Sequence, residues 1–249
     1  MLIIGVDDTD TLKSRGTGSL ARHIATSLAA EHLVLGVTRH QLLEDPRVPC
    51  TAKNSSAAIL VQAEGIDIEA LAQRVRSIML INFNPGSDPG LCVAENIPPE
   101  VIEFGRCVQK EMVSQQQARS LAADHGVWLR GLGGDEDGVI GALAAVGLAA
   151  CGEDGRYVTV GQTRDLRGKL PIAEILAAGV DSVRTLAGAE VNRGVVDAWK
   201  LRPARRGGKP VLYVKRKRTY WEALKGVEER QSKWINRLQK LPLLSLLTD

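Results

Sequence analysis

Met1-Leu-Ile-Ile-Gly-Val-Asp-Asp-Thr-Asp10, followed by Arg15-Gly-Thr-Gly-Ser-Leu20, is the stretch around which the rest of the chain is organised. The apolar run from Leu2 to Val6 predicts a buried strand. It ends in three carboxylates, Asp7, Asp8 and Asp10, with the hydroxyl of Thr9 between them. Like charges at this spacing repel, so the cluster suggests a counter-cation. A turn flanked by glycines, Gly16-Thr17-Gly18-Ser19, then opens an apolar-periodic helix. Its first amides and the positive end of its dipole suit an anion. Carboxylates for a divalent metal beside a helix start for phosphate make a nucleotide-phosphate site. The plainer alternative is a strand ending in a polar turn, with Thr17 or Ser19 as helix cap.

Working outward, the first half reads as strand, helix, strand, strand, helix, strand. After Leu2–Val6 come a helix over 20–30, a strand over 33–38 and a polar loop over 39–54. A strand over 57–63, a helix over 68–79 and a short strand over 91–94 follow. That βαββαβ order is the split pattern of a ferredoxin-like sandwich and gives a first domain over 1–97, closed by Pro98-Pro99. Residues 98–219 read as a second α/β domain. It has helices over 100–125, a glycine-rich loop Gly131-Leu-Gly-Gly-Asp-Glu-Asp-Gly138 and a small-residue helix to Gly147, with no clear strand before that loop. A strand over 157–161, a helix over 172–178 and a hairpin pairing 199–202 with 210–215 complete it. Residues 220–249 read as a helical tail, with Trp221 and Trp234 as a candidate homodimer contact. The fold class expected is α+β: a ferredoxin-like domain packed on a second α/β domain, then the tail.

Composition narrows the function. Hydrophobic residues make up 44% and charged residues 24%, as in a globular protein, and the net charge of +3 does not by itself imply a nucleic-acid partner. Basic residues nevertheless crowd Arg202, Arg205, Arg206 and Lys215-Arg-Lys-Arg218, while acidic ones gather at 7–10 and 135–137. This suggests a basic face for RNA or another anionic substrate, a solvated surface being the alternative. Four scattered cysteines exclude a zinc ribbon and do not suggest a disulfide framework. No signal peptide or membrane-length apolar run is seen, so a cytoplasmic protein without a membrane partner is expected.

Other loops carry polar side chains suited to phosphate. Pro46-Arg-Val-Pro-Cys-Thr-Ala-Lys-Asn54 supplies Arg47, Lys53 and Asn54. Asn82-Phe-Asn-Pro-Gly-Ser-Asp-Pro-Gly90 has the tight turns of a rigid loop. The loop ending at Gly138 lacks the lysine and hydroxyl of a Walker A motif, but offers Asp135, Glu136 and Asp137 beside a helix start. His40 is the most suggestive of the four histidines, and no Ser-His-Asp set stands out in the sequence.

Four motifs in order, Ile4-Gly-Val-Asp-Asp-Thr-Asp10, Pro49-x-Thr-x-Lys-Asn54, Asn84-Pro-Gly-x-x-Pro-Gly90 and Gly138-Val-Ile-Gly-Ala-Leu-Ala-Ala-Val-Gly147, resemble the archaeal tRNA-Ile agmatinylcytidine synthetase family. The resemblance spans roughly residues 2–200. It implies an enzyme that uses ATP and magnesium to phosphorylate a wobble cytidine, the phosphate then being displaced by agmatine. Carried over, Asp7, Asp8 and Asp10 would bind magnesium and the triphosphate, with Lys53 and Asn54 beside the phosphates; Thr9, Gly16, Thr17 and Gly18 of the adjoining turn are further candidates for binding the nucleotide. Gly138 to Gly141 would border the nucleotide. The family's phosphorylatable threonine falls closest to Ser19. The family's Gly-Met-Cys-Thr-Thr run is here Gly16-Thr-Gly-Ser-Leu20, and its OB-fold and zinc ribbon have no counterpart before Asp249. The expectation is an ATP- and magnesium-dependent phosphotransferase or ligase whose acceptor need not be tRNA. The alternative is a non-catalytic RNA-binding module using the basic C-terminal third.

Overall fold

The computed structural model describes residues 1–48, 50 and 53–225. Strand β1 (Leu2–Asp7) lies inside an antiparallel sheet, flanked by β3 (Ser55–Val61) and β4 (Gly90–Glu95). Strand β2 (Val34–Gln41) adds to β3, and β5 (Trp128–Gly131) to β4. Beyond β2 the sheet continues through β6 (Arg156–Thr159), β10 (Ala204–Arg206), β11 (Lys209–Arg216), β12 (Trp221–Ala223), β9 (Val195–Asp197) and β7 (Lys169–Pro171), with β8 (Ser182–Thr185) on β11. The described residues form a mixed α/β fold with twelve strands and six helices.

Both faces of the first half of the sheet are covered, which is why β1 is continuously apolar. Helices α1 (Thr17–Leu28) and α2 (Ile68–Asn82) bring Leu20, Ile24, Leu28, Leu71, Val75 and Met79 against Leu2, Ile4 and Val6. On the other face α3 (Pro99–Val108), α4 (Gln115–Asp124) and above all α5 (Gly138–Cys151) cover Ile3, Ala58, Leu60 and Cys92. α5 is apolar all round and buried along most of its length, as a helix inside a layered core must be. A separate core built on Ile172, Ile175, Val183, Val196, Leu212 and Val214 joins α6 (Ile172–Ala177) to the downstream strands.

Pairing crosses the boundary drawn after residue 97, since β5 borders β4 and β6 borders β2. Several expected elements lie elsewhere. Arg39 and His40 belong to β2, whose pairing with β3 extends to Gln41, so they are not in the loop that follows. A strand, β5, does precede the glycine-rich loop. The hairpin partner of β11 is 204–206 instead of 199–202. Gly207-Gly208, with φ of 55° and 74°, forms the tight turn that only residues tolerant of positive φ make easily. Residues 221–223 form β12 instead of opening a helix, and the rest of the expected tail, with Trp234 and the proposed dimer contact, lies outside the described residues.

Candidate functional site: a cationic cleft at the first turn of α1

Strand alternation divides the acidic cluster. Ile3, Gly5 and Asp7 face α5. A Cβ at Gly5 would stand 2.0 Å from the Ala142 carbonyl oxygen, and one at Gly141 would stand 1.7 Å from the Asp7 carboxylate. Asp7 thus rests on the first turns of α5, and burial pushes its carboxyl up to about 7, with the Asp8 and Asp10 charges adding and the Asp8 amide opposing. Asp8 leaves the strand in a left-handed conformation, φ 48°. Its carboxyl is also raised, first by burial and then by the charges of Asp88, Asp10 and Asp137. Asp10 turns the other way. Its Oδ1 accepts from the Thr17 amide at 2.9 Å and the Thr17 hydroxyl at 2.7 Å, closing the start of α1. Among the described residues no three His, Cys, Asp or Glu side chains are grouped to hold a metal ion.

Asp10 borders an open cleft of about 300 Å³ lined by Gly16, Thr17, Gly18, Arg39, Lys53, Ser55, Ser56, Ala57 and Arg156. Arg39 and Arg156 stand directly opposite in the β2–β6 pairing, so both guanidiniums start from one face of the sheet. The cleft therefore gathers three cations beside the first turn of α1, whose start the Asp10 carboxylate already occupies, and it is the cations that favour a multiply charged anion.

Of the residues singled out in the sequence, Asp10, Gly16, Thr17, Gly18 and Lys53 come together here. Thr9 does not reach it: it is buried, with its hydroxyl on Thr17 and its carbonyl accepting from the Asn84 side chain at 2.9 Å. Ser19 lies one residue past the lining and accepts from Arg22. Arg47 is turned onto Asp45, and Asn54 holds the loop by donating to the Leu43 carbonyl at 3.0 Å. Gly138 and Gly141 are consumed by packing, Gly138 against Asp88 and Gly90 and Gly141 against Asp7. The acidic loop is pinned as well. Glu136 pairs with Arg119, Asp137 accepts from Gln115, and the Asp135 amide donates to Asp88. The basic strip is partly neutralised, with Lys215 and Lys217 both on Glu222 and Arg216 over the Trp221 ring.

Sequence reasoning misses Arg156, which only the β2–β6 pairing brings in, and Arg39, for which strand alternation with Val37 is the available signal. It also misses a chain on the opposite face of β2. Thr38 Oγ1 lies 2.8 Å from His40 Nε2, and His40 Nδ1 lies 2.7 Å from Asp154, which accepts from Gln109 at 3.0 Å. The order is that of a hydroxyl–His–carboxylate triad, but Thr38 and His40 are wholly buried, so no substrate reaches the hydroxyl. The chain latches β2 to α3 and to the turn after α5. Burial works to raise Asp154, but hydrogen bonding and charge from His40, with Gln109 and Arg206, outweigh it and hold the carboxyl below its ordinary value. Its stabilising effect is thus present above the unfolded carboxyl pKa and lost as pH falls through the folded one. Asp154→Asn should cost about 1.5–3 kcal/mol in urea unfolding at pH 7. The difference should vanish in acid; an equal loss at all pH values would contradict the charge-based account.

No protein-family model matches the chain. Among curated proteins it is 32% identical over 159 residues to TiaS of Methanopyrus kandleri, the 2-agmatinylcytidine synthetase of an isoleucine tRNA, covering 61% of this chain and 35% of that protein. It is 27% identical over 150 residues to an uncharacterized protein of Methanocaldococcus jannaschii, covering 59% and 50%. The chain thus spans between a third and a half of the length of these relatives. Among solved structures, a complex of TiaS with that tRNA and ATP superposes with a TM-score of 0.53 at 24% identity, over 59% of this chain and 36% of that one. Apo TiaS gives 0.52 at 22%, over 59% and 35%. At such identities the likeness speaks for the fold. No helix among the described residues is long and apolar enough to cross a membrane. Over 61% of its length, then, this chain is similar to a part of TiaS that makes up 35% of that protein, and it shares that part's fold.

Proposed function

We propose that the chain is an ATP-dependent phosphoryl-transfer core whose cationic cleft holds the polyphosphate. The observation that carries this is the convergence of Arg39, Lys53 and Arg156 on the Gly16-Thr17-Gly18 turn. Support comes from the relatives, one of them a tRNA-modifying synthetase and one solved with ATP. The strand order β4-β1-β3-β2, with α1 and α2 together on one face, favours a ferredoxin-like description of the first 97 residues. In the cleft Lys53 and the two arginines would orient the phosphates and offset charge on the transferred group; the Thr17 and Ser19 amides already donate to Asp10 and to the Gly16 carbonyl. Ser19, one residue past the lining, would be the hydroxyl that accepts a phosphoryl group from the chain's own site.

Magnesium fits the donor set without a preformed cage. It usually takes one or two carboxylates and completes its shell with phosphate and water. Asp10 borders the cleft, and the Asp8 carboxyl is raised first by burial and then by the charges of Asp88, Asp10 and Asp137, the part that a cation would offset. Asp8 and Asp10 would hold the ion, while Asp7 is turned onto α5. The ion would supply neutralisation of phosphate charge.

Calorimetry with MgATP tests this reading. Lys53→Ala should weaken binding about tenfold or more, by removing a charge-assisted phosphate contact. Asp8→Asn should remove the magnesium dependence and leave the fold intact, because Asn tolerates the left-handed conformation at this position. No MgATP binding by the wild type, or unchanged binding in both variants, would overturn it.

A further inference from the structure

The two arginines of the cleft stand where strand pairing alone holds them weakly. Arg39 and Arg156 are cross-strand partners on one face, and like charges directly opposite repel. The register of β2 and β6 shifts between Val37 and Thr38, so the pairs Thr38–Tyr157 and Arg39–Arg156 lie beyond an irregularity in the ladder. Arg156 is the first residue of β6. On its other side it pairs with Ala204 of β10, a tie that leads away from Arg39.

A second tie joins the same two strand ends on the opposite face. His40 directly follows Arg39, and its Nδ1 lies 2.7 Å from the carboxylate of Asp154, two residues before Arg156. An ionised carboxylate can accept but not donate, so Nδ1 carries the proton. The other Asp154 oxygen accepts from the Gln109 side-chain amide at 3.0 Å, and that amide also donates to the Gln41 carbonyl at 2.9 Å. The bonds thus leave β2 at His40 and return to it at Gln41, enclosing the carboxylate. Gly155 lets the chain come this close: its φ is 78°, and a Cβ there would stand 2.6 Å from both the Arg39 carbonyl oxygen and His40 Nδ1. The link between Asp154 and Arg156 therefore rests directly on Arg39 and His40. His40 is wholly buried, so water does not compete for the bond. A satisfied buried polar set of this kind fixes one arrangement where apolar packing would tolerate several.

We propose that His40 and Asp154 are positioning residues for the cleft: their bond holds Arg39 and Arg156 in register against their repulsion, so that the two guanidiniums meet a polyphosphate as a preformed pair. Charged groups left loose by their supports bind more weakly, because they must then be ordered on binding. This role rests on the reading of the cleft as a polyphosphate site. Inorganic tripolyphosphate can fill such a site whether or not MgATP does.

Calorimetry with tripolyphosphate and, separately, with MgATP on the full chain tests the role. Two amide variants separate the ring nitrogens of His40. The side-chain nitrogen of Asn falls near the place of Nδ1 and keeps a donor for Asp154, whereas that of Gln falls near Nε2 and does not. Tripolyphosphate should bind about tenfold more weakly to His40→Gln and Asp154→Ala, and within about threefold of wild type to His40→Asn. In an Arg156→Ala background, Asp154→Ala should cause no further loss, because the carboxylate acts through that arginine. Tyr157→Phe removes a hydroxyl that bonds Arg205 and the Gly208 carbonyl from the same strand; it should lower the melting temperature and leave affinity unchanged. Asp154 is partly exposed at its turn, so water can reach Nδ1 when it is removed, and melting curves on every sample confirm folding. Wild-type affinity in His40→Gln and Asp154→Ala, equal losses in His40→Asn and His40→Gln, additive losses in the double variant, or an equal loss in Tyr157→Phe would each overturn the positioning role. Latch-dependent binding of tripolyphosphate by a protein that binds no MgATP would uphold the role and reject the nucleotide reading. MgATP binding that the latch variants leave untouched would do the reverse, and a wild type that binds neither probe would overturn both.

Discussion

Gly5→Ala is expected to leave little folded protein. The Cβ would enter the space of the Ala142 carbonyl, and that atom belongs to the backbone of a buried helix, so no rotamer change relieves the clash. Gly90 has the same relation to Gly138 at 2.1 Å, so β1 and β4 both touch the start of α5 backbone to backbone. Moving the helix would open the core between α5 and the sheet, where Ile3, Cys92, Ala142 and Val146 interlock. A loss of at least about 3 kcal/mol follows, large against the stability of an ordinary domain. Soluble yield and thermal melting read it out. A Tm within about 2 °C of wild type would mean that α5 does not lie against β1 in this way.

Asp7→Asn should act in the opposite direction, stabilising the protein in the absence of divalent cations. The folded carboxyl has a pKa of about 7 against an ordinary value of 3.8. The folded state therefore keeps its proton where the unfolded chain releases it, and stability falls as pH rises from the unfolded pKa to the folded one. Above pH 7 the wild type bears the full cost of an ionised, poorly hydrated carboxylate, which the amide lacks. A gain of about 2–4 kcal/mol at pH 8 is expected, shrinking to nothing near pH 4. Urea unfolding of both proteins at the two pH values decides the matter. A variant weaker than wild type at pH 8 would show that the first turn of α5 stabilises the ionised carboxylate more than burial opposes it.

The elements of the first half are legible because their signals are local. β1 and β3 are apolar runs, and Leu71, Val75 and Met79 recur on one face of α2. Downstream strands such as Lys169–Pro171 and Val195–Asp197 have three residues each and owe their existence to partners far along the chain, so no periodicity can build up. The site divides in the same manner. Gly16, Thr17, Gly18 and Asp10 are neighbours in sequence and read together. Arg39 and Arg156 meet only through a pairing across more than a hundred residues, and the Thr38–His40–Asp154 chain has a similar span. What the contiguous Asp-Asp-Thr-Asp run conceals is direction, since a strand end sends Asp7 to one helix layer while Asp10 caps a helix in the other.

The short strand β6 has a consequence for how the molecule behaves in company. Strand β2 is eight residues long, and its outer row of amides and carbonyls would be a template for a neighbouring chain. β6 pairs with Val37, Thr38 and Arg39 and is itself tied to Ala204 of β10. The downstream strands thus serve the first half as an edge guard, closing the side on which its sheet would otherwise grow by recruiting copies of itself.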